Sequence, residues 1–153
     1  MTAPAAGSGL PVGGADTGPL VLVVDDFEDN RAMYVQFLNF AGFRVVEAEN
    51  GKEALDKALS LLPDLIVMDL SLPVMDGWEA TRRLKRDERT RRIPVLALTG
   101  HALGAHSQRA KEAGCDAYLT KPCLPEDLVT EIRRMLKLFA GKGKVRAARG
   151  RRG

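Results

Sequence analysis

The chain has 153 residues, 45% of them apolar and 28% charged, with 15 glycines and 8 prolines. Those proportions fit one globular domain and exclude a disulfide scaffold, a collagen-like repeat and disorder throughout. The net charge of +3 divides unevenly, with 17 basic against 19 acidic side chains in residues 20–140 and six basic with no acidic ones in residues 141–153, so the excess does not mark the domain as a nucleic-acid binder.

Residues 1–19 are rich in Ala, Gly and Pro and carry Asp16 as their one charged side chain. They lack the charged start and apolar stretch of a secretory signal and are expected to form a flexible N-terminal extension. Residues 20–24 read as a buried strand and are followed by Asp25 and Asp26. The spacing of Met33, Phe37 and Phe40 predicts a helix with an apolar stripe, stopped at Gly42 by a left-handed cap. A second strand is expected at 44–48. Asn50 with Glu53 resembles a capping box and starts the next helix.

A third strand at 64–68 runs into Asp69. Asp76 with Glu79 repeats the capping device ahead of a third helix. Residues 93–98 predict a fourth strand, with Thr99 at its end, and Gly114 is placed as the cap of a fourth helix. The fifth strand is expected at 116–119, with Lys121 just beyond it. Pro125 suits a first helical position, Glu126 and Asp127 suit the positive first turn, and Leu128, Ile132 and Met135 supply a stripe. Residues 20–139 thus make one domain. The glycine-rich basic end, 140–153, is expected to leave the helix and stay disordered as a solubilising tail. Its alternative role is electrostatic contact of residues 141–153 with nucleic acid, an acidic protein or anionic lipid.

Strand and helix alternate five times, which specifies an α/β fold: an open (βα)5 three-layer sandwich around a parallel sheet. In such a sheet all strands end on one edge, and ligands bind there. Asp25, Asp26, Asp69, Thr99 and Lys121 come from four strand ends and converge on that edge. Each residue has a bland reading as turn or loop composition, but together they form a polar constellation. Cys115 and Cys123 are too few for a zinc site or disulfide framework, so a reducing, cytoplasmic setting is expected. No apolar run in the sequence approaches the ~20 residues of a membrane span.

The pair Asp25-Asp26, Asp69 followed by Leu-Ser-Leu-Pro-Val-Met-Asp-Gly through Gly77, the run Leu98-Thr99-Gly100, and Tyr118 leading to Lys121-Pro122 together resemble the receiver domain of bacterial two-component response regulators. The resemblance spans roughly residues 20–139. It implies a flavodoxin-like fold with strand order 2-1-3-4-5 and a role in phosphorelay signal transduction. Asp69 would be the phosphoacceptor. Asp25, Asp26, Asp69 and the backbone carbonyl of Ser71 would hold Mg²⁺, with Mn²⁺ as a substitute; a hard cation suits crowded carboxylates. Lys121 and Thr99 would each bind a phosphoryl oxygen.

The same resemblance implies a cis Lys121–Pro122 bond, a switch pair of Thr99 and Tyr118, and tuning of dephosphorylation by Ser71 and His101. The phosphodonor would be a phosphohistidine of a sensor kinase or phosphotransfer protein. Output would run through the fourth helix, fifth strand and fifth helix to a protein target or onward relay. The chain would be a single-domain regulator that catalyses its own phosphorylation and dephosphorylation without being an enzyme on another substrate.

Three other classes compete. A phosphate-ester hydrolase of doubly wound fold would place Asp-x-Asp after the first strand, where this chain has adjacent aspartates. A flavodoxin-like electron carrier needs a phosphate cradle at residues 25–29, and four acids there would repel one. A DNA-binding regulator would act through the basic tail alone. Arg82, Arg83, Lys85, Arg86, Arg89, Arg91 and Arg92 read as a solvated helix face and turn. Trp78 reads as a packing residue near the site, and His106 receives no role.

Overall fold

The fold is taken from a computed structural model, which describes residues 17–70, 77–100 and 113–152. Five strands, β1 (Leu20–Val24), β2 (Arg44–Ala48), β3 (Leu65–Asp69), β4 (Val95–Thr99) and β5 (Ala117–Thr120), form one parallel sheet in the order β2-β1-β3-β4-β5. The described helices are α1 (Glu28–Phe40), α2 (Gly51–Leu61), α3 (Gly77–Arg86) and α4 (Pro125–Arg152). The helix expected before Gly114, the Asp76 cap and residues 1–16 lie outside the described residues.

Alternation along each strand sends side chains to opposite faces, and this creates two cores. Val21, Val23, Leu65, Val67, Leu96 and Leu98 pack with Tyr34, Leu38, Leu128, Ile132 and Met135 of α1 and α4. Leu22, Val24, Ile66, Met68, Val95 and Ala97 pack on the other face with Ala54 and Ala58 of α2 and Trp78, Ala80 and Leu84 of α3. Burying each large aliphatic side chain contributes roughly 1.5–3 kcal/mol, so this doubly covered sheet makes a rigid platform.

The capping devices have the expected positions with one change of partner. Asn50 Oδ1 accepts from Glu53 N–H at 2.8 Å, while Glu53 Oε1 reaches Glu49 N–H at 2.7 Å. Gly42 has φ of +102° beyond α1, where Phe43 N–H donates to Leu38 O and Gly42 N–H to Asn39 O. That paired closure needs a left-handed residue, which glycine adopts without a Cβ penalty.

One expectation is corrected. The stripe on α1 is not Met33, Phe37 and Phe40: Tyr34 and Leu38 are buried, Phe37 is partly so, and Phe40 is 90% exposed. Tyr34, Leu38 and Ala41 share the same spacing one residue later, and periodicity alone does not choose between parallel stripes. Helix α4 is described from Pro125 to Arg152, past residue 139.

Candidate functional site

The site lies where β1 and β3 adjoin and the chain crosses outward in opposite directions, leaving a crevice at the carboxyl ends of the strands. β1 delivers Asp25 directly after Val24, β3 ends in Asp69, β4 ends in Thr99, and Lys121 follows β5. The sheet continues briefly into these positions. Asp25 N–H donates to Ala48 O at 3.1 Å, Leu70 N–H to Leu98 O at 3.0 Å, and Lys121 N–H to Thr99 O at 2.7 Å. Strand register, not loop geometry, therefore sets the spacing of the polar groups.

Asp25, Asp69 and Thr99 are buried, at 1%, 2% and 4% exposure, whereas Asp26 is exposed. Carboxylate oxygens of Asp25, Asp26 and Asp69 lie within 4.8 Å of one another. At that distance two like charges repel by roughly 3 kcal/mol for an effective dielectric near 20. Lys121 offsets part of this: its Nζ donates to Asp69 Oδ2 at 3.2 Å and stands 4.0 Å from Asp25 Oδ2. Asp25 Oδ1 accepts from Phe27 N–H at 2.9 Å, while its buried Oδ2 has no hydrogen-bond partner among the described residues.

Burial raises the Asp25 carboxyl above its ordinary value. The Phe27 hydrogen bond opposes that rise, Asp69 adds to it, Lys121 opposes it, and Asp26 adds a smaller upward push. The donor set is hard oxygen, one buried oxygen is orphaned, and excess negative charge is shared by three carboxylates. These features suit a hard divalent cation.

α3 closes the site from beneath. A Cβ on Gly77 would sit 2.3 Å from the carbonyl oxygen of Asp69 and 2.7 Å from Leu70 Cα, so the helix start packs directly against the backbone carrying Asp69. Trp78 is 6% exposed and belongs to the core beside Ala80 and Leu84. The Lys121–Pro122 peptide is cis. Tyr118 is half-buried against the core that contains Ala97, its register partner. Ser71 and His101 lie outside the described residues.

Two features had no motif to announce them. Arg31, one turn into α1, donates from Nη1 to Asp25 O at 2.8 Å and from Nε to Glu47 Oε1 at 2.9 Å. Its signal in sequence is only a cation following the acidic pair at helical reach. Tyr34 Oη and Cys123 Sγ are 3.8 Å apart, joining α1 to the segment after Pro122, and burial pushes the Tyr34 hydroxyl well up. Cys115 is also pushed up, to about 11, by burial, which keeps it a thiol.

Four basic residues of α3 and its following turn are tied locally. Arg82 and Arg83 pair with Glu79, Arg89 pairs with Asp87, and Lys85 donates to Arg91 O, Ile93 O and Asp116.

The acids, hydroxyl and lysine thus meet at the carboxyl edge of a doubly wound parallel sheet, the architecture of a signalling domain. Residues 21–133 match the response regulator receiver domain, and the chain belongs to that family, which serves bacterial two-component systems. Over 102 residues it is 40% identical to the polar-differentiation response regulator DivK of Brucella anthropi, covering 67% of this chain and 83% of the relative. The chemotaxis response regulator CheY4 of Vibrio cholerae superposes with a TM-score of 0.74 at 35% identity, over 77% of this chain and 98% of that one. The receiver domain of a sensor histidine kinase from Pseudomonas aeruginosa, solved with magnesium in its active-site cleft, gives a TM-score of 0.71 at 34% identity, over 82% and 99% of the two chains. Among the described residues no helix is long and apolar enough to cross a membrane.

Proposed function

We propose that Asp69 accepts a phosphoryl group from a phosphohistidine on a sensor kinase or phosphotransfer protein. The observation that carries this reading is the buried Asp69 carboxylate with Lys121 Nζ at 3.2 Å, beside an Asp25 Oδ2 that has no hydrogen-bond partner among the described residues. An Asp69 oxygen forms a bond to phosphorus as the phosphorus–nitrogen bond to the histidine breaks, and the imidazole leaves with that electron pair. The product is an acyl phosphate, and water later attacks phosphorus to restore the carboxylate and release inorganic phosphate. Phosphoryl transfer depends mainly on alignment and on neutralising charge at the equatorial oxygens.

The chain supplies both needs. Lys121 brings a compact positive charge to one phosphoryl oxygen, and the Thr99 hydroxyl, held on the neighbouring strand end, donates to another. Asp25, Asp26 and Asp69, with the Ser71 carbonyl, would hold Mg²⁺, or Mn²⁺ in its place. The ion would supply positive charge to the transferring group. Gly77 keeps the backbone under Asp69 in place, so the nucleophile is positioned by a rigid strand end rather than a mobile loop.

Thr99 turning toward the new phosphate would leave space for Tyr118 to move inward. That movement would bias the surface formed by the segment before Gly114, β5 and α4 toward a protein target or the next relay step. Ser71 and His101 would set the lifetime of the acyl phosphate through water access, and an unchanged decay rate in His101→Ala would remove His101 from that role. The cytoplasm is the setting in which such a partner kinase would present its phosphohistidine.

Incubation with a small phosphodonor and Mg²⁺, read by intact mass, tests the reading. One added phosphoryl group is expected on the wild type and none on Asp69→Asn. A mass increase that survives Asp69→Asn would overturn the assignment.

A further inference from the structure

Asp25 lies just past the end of β1 and is 1% exposed, so its carbonyl is shielded from solvent. A carbonyl so placed needs a donor from the protein. Arg31 supplies it with Nη1 at 2.8 Å. The guanidinium is itself only 12% exposed, and its Nε is held by Glu47 Oε1 at 2.9 Å, on β2 across the sheet edge. Its backbone N–H donates to Phe27 O at 3.0 Å. Within the same few residues Phe27 N–H holds Asp25 Oδ1. The turn from Asp25 to Phe27 is therefore fixed at its carbonyl, at one carboxylate oxygen and at its exit into α1. Asp25 Oδ2 is the oxygen left over, and Asp26 is turned to solvent beside it.

We infer that Arg31 is a positioning residue for the cation site: anchored by Glu47, it locks the β1–α1 turn so that Asp25 Oδ2 and Asp26 are presented together. The inference rests on the proposed divalent-cation site and adds a residue to its support. A planar fork with several N–H groups reaches a carbonyl and a carboxylate at once, whereas a lysine ammonium is a single point and cannot reproduce both contacts. Groups that orient metal ligands in this way typically change affinity by 10–100-fold when removed.

The sign of the effect separates positioning from electrostatics. Arg31 is a cation close to a site for a cation. If its charge were what mattered, Arg31→Ala would relieve repulsion and tighten Mg²⁺ binding, and Arg31→Lys would change nothing. Positioning predicts the opposite: weaker Mg²⁺ binding in Arg31→Ala by about tenfold, and weaker binding in Arg31→Lys although its charge is kept. Glu47→Gln should weaken binding less in the wild-type background and add nothing in Arg31→Ala, because the two residues act as one unit.

The test is calorimetric titration of the full chain with MgCl₂, with urea unfolding on each variant to confirm a folded state. Wild-type binding that weakens in both Arg31 variants supports the inference. Equal or tighter binding in both would overturn it and leave the cation site standing. Absence of any wild-type binding would overturn the cation site itself.

Discussion

Two pairs of aspartates stand at opposite edges of the same sheet. Asp64 and Asp116 precede β3 and β5. Asp64 donates its N–H to Leu20 O and accepts from Leu20 N–H on Oδ2, both at 2.8 Å. Asp116 does the same with Val95, at 2.9 Å and 2.8 Å, and its Oδ2 also accepts from Lys85 Nζ at 2.8 Å. Each clasps the start of an adjacent strand and satisfies a backbone donor that the ladder leaves over. Asp25 and Asp69, at the other edge, are more deeply buried and crowd a third carboxylate, and Asp25 Oδ2 has no hydrogen-bond partner among the described residues. One residue type thus completes the hydrogen bonding of the fold at one edge and leaves it incomplete at the other. Local satisfaction is given up at the second edge, around the proposed phosphoacceptor, as expected where function overrides it.

Three substitutions break or sharpen this contrast. Gly77→Ala has the largest expected effect, because its Cβ would meet the Asp69 backbone at 2.3 Å and neither helix nor strand can yield freely. Overpacking of this kind costs about 1–3 kcal/mol or more, and urea unfolding should show it together with loss of Mg²⁺ binding. Asp116→Ala should cost about 1–3 kcal/mol by leaving the Val95 N–H without its acceptor and Lys85 without its carboxylate partner, while phosphoryl uptake stays intact.

Asp25→Asn has the smallest effect and the opposite sign. Its burial-raised pKa means that the folded state holds the proton more tightly than the unfolded chain. Stability contributed by this group is therefore present in acid and lost as pH rises from the ordinary 3.8 through the raised folded value. At pH 7 and without a divalent ion the amide should stabilise the fold by on the order of 1 kcal/mol. The gap should close below about pH 4, where the wild-type carboxyl is protonated. Unfolding midpoints at the two pH values check this, and a gain that persists in acid would contradict it.

Much of this was legible in the sequence, and the reasons differ by element. β1 and β2 fall at their expected residues because short, continuous apolar runs bounded by polar turns leave little choice. β3, β4 and β5 extend a residue later than expected because Asp69, Thr99 and Thr120 are polar yet still pair in the ladder. The site corners were legible for the same reason: strand ends in a parallel sheet share one edge, so placing the strands placed Asp25, Asp69, Thr99 and Lys121. The buried stripe of α1 was not legible, since two stripes with the same period differ only in helix rotation, which is fixed by tertiary contact. Arg31 and the Asp64 and Asp116 clasps were hidden because each depends on a side chain meeting backbone from another element, and no local pattern records that meeting.

The most direct test sets the two edges against each other in one experiment, measuring phosphoryl uptake by intact mass and urea stability on Asp69→Asn and Asp116→Asn. The account predicts a crossed result: Asp69→Asn loses uptake and keeps or gains stability, while Asp116→Asn keeps uptake and loses stability. Uptake retained by Asp69→Asn, or lost by Asp116→Asn while that protein remains folded, would contradict the division of roles between the edges.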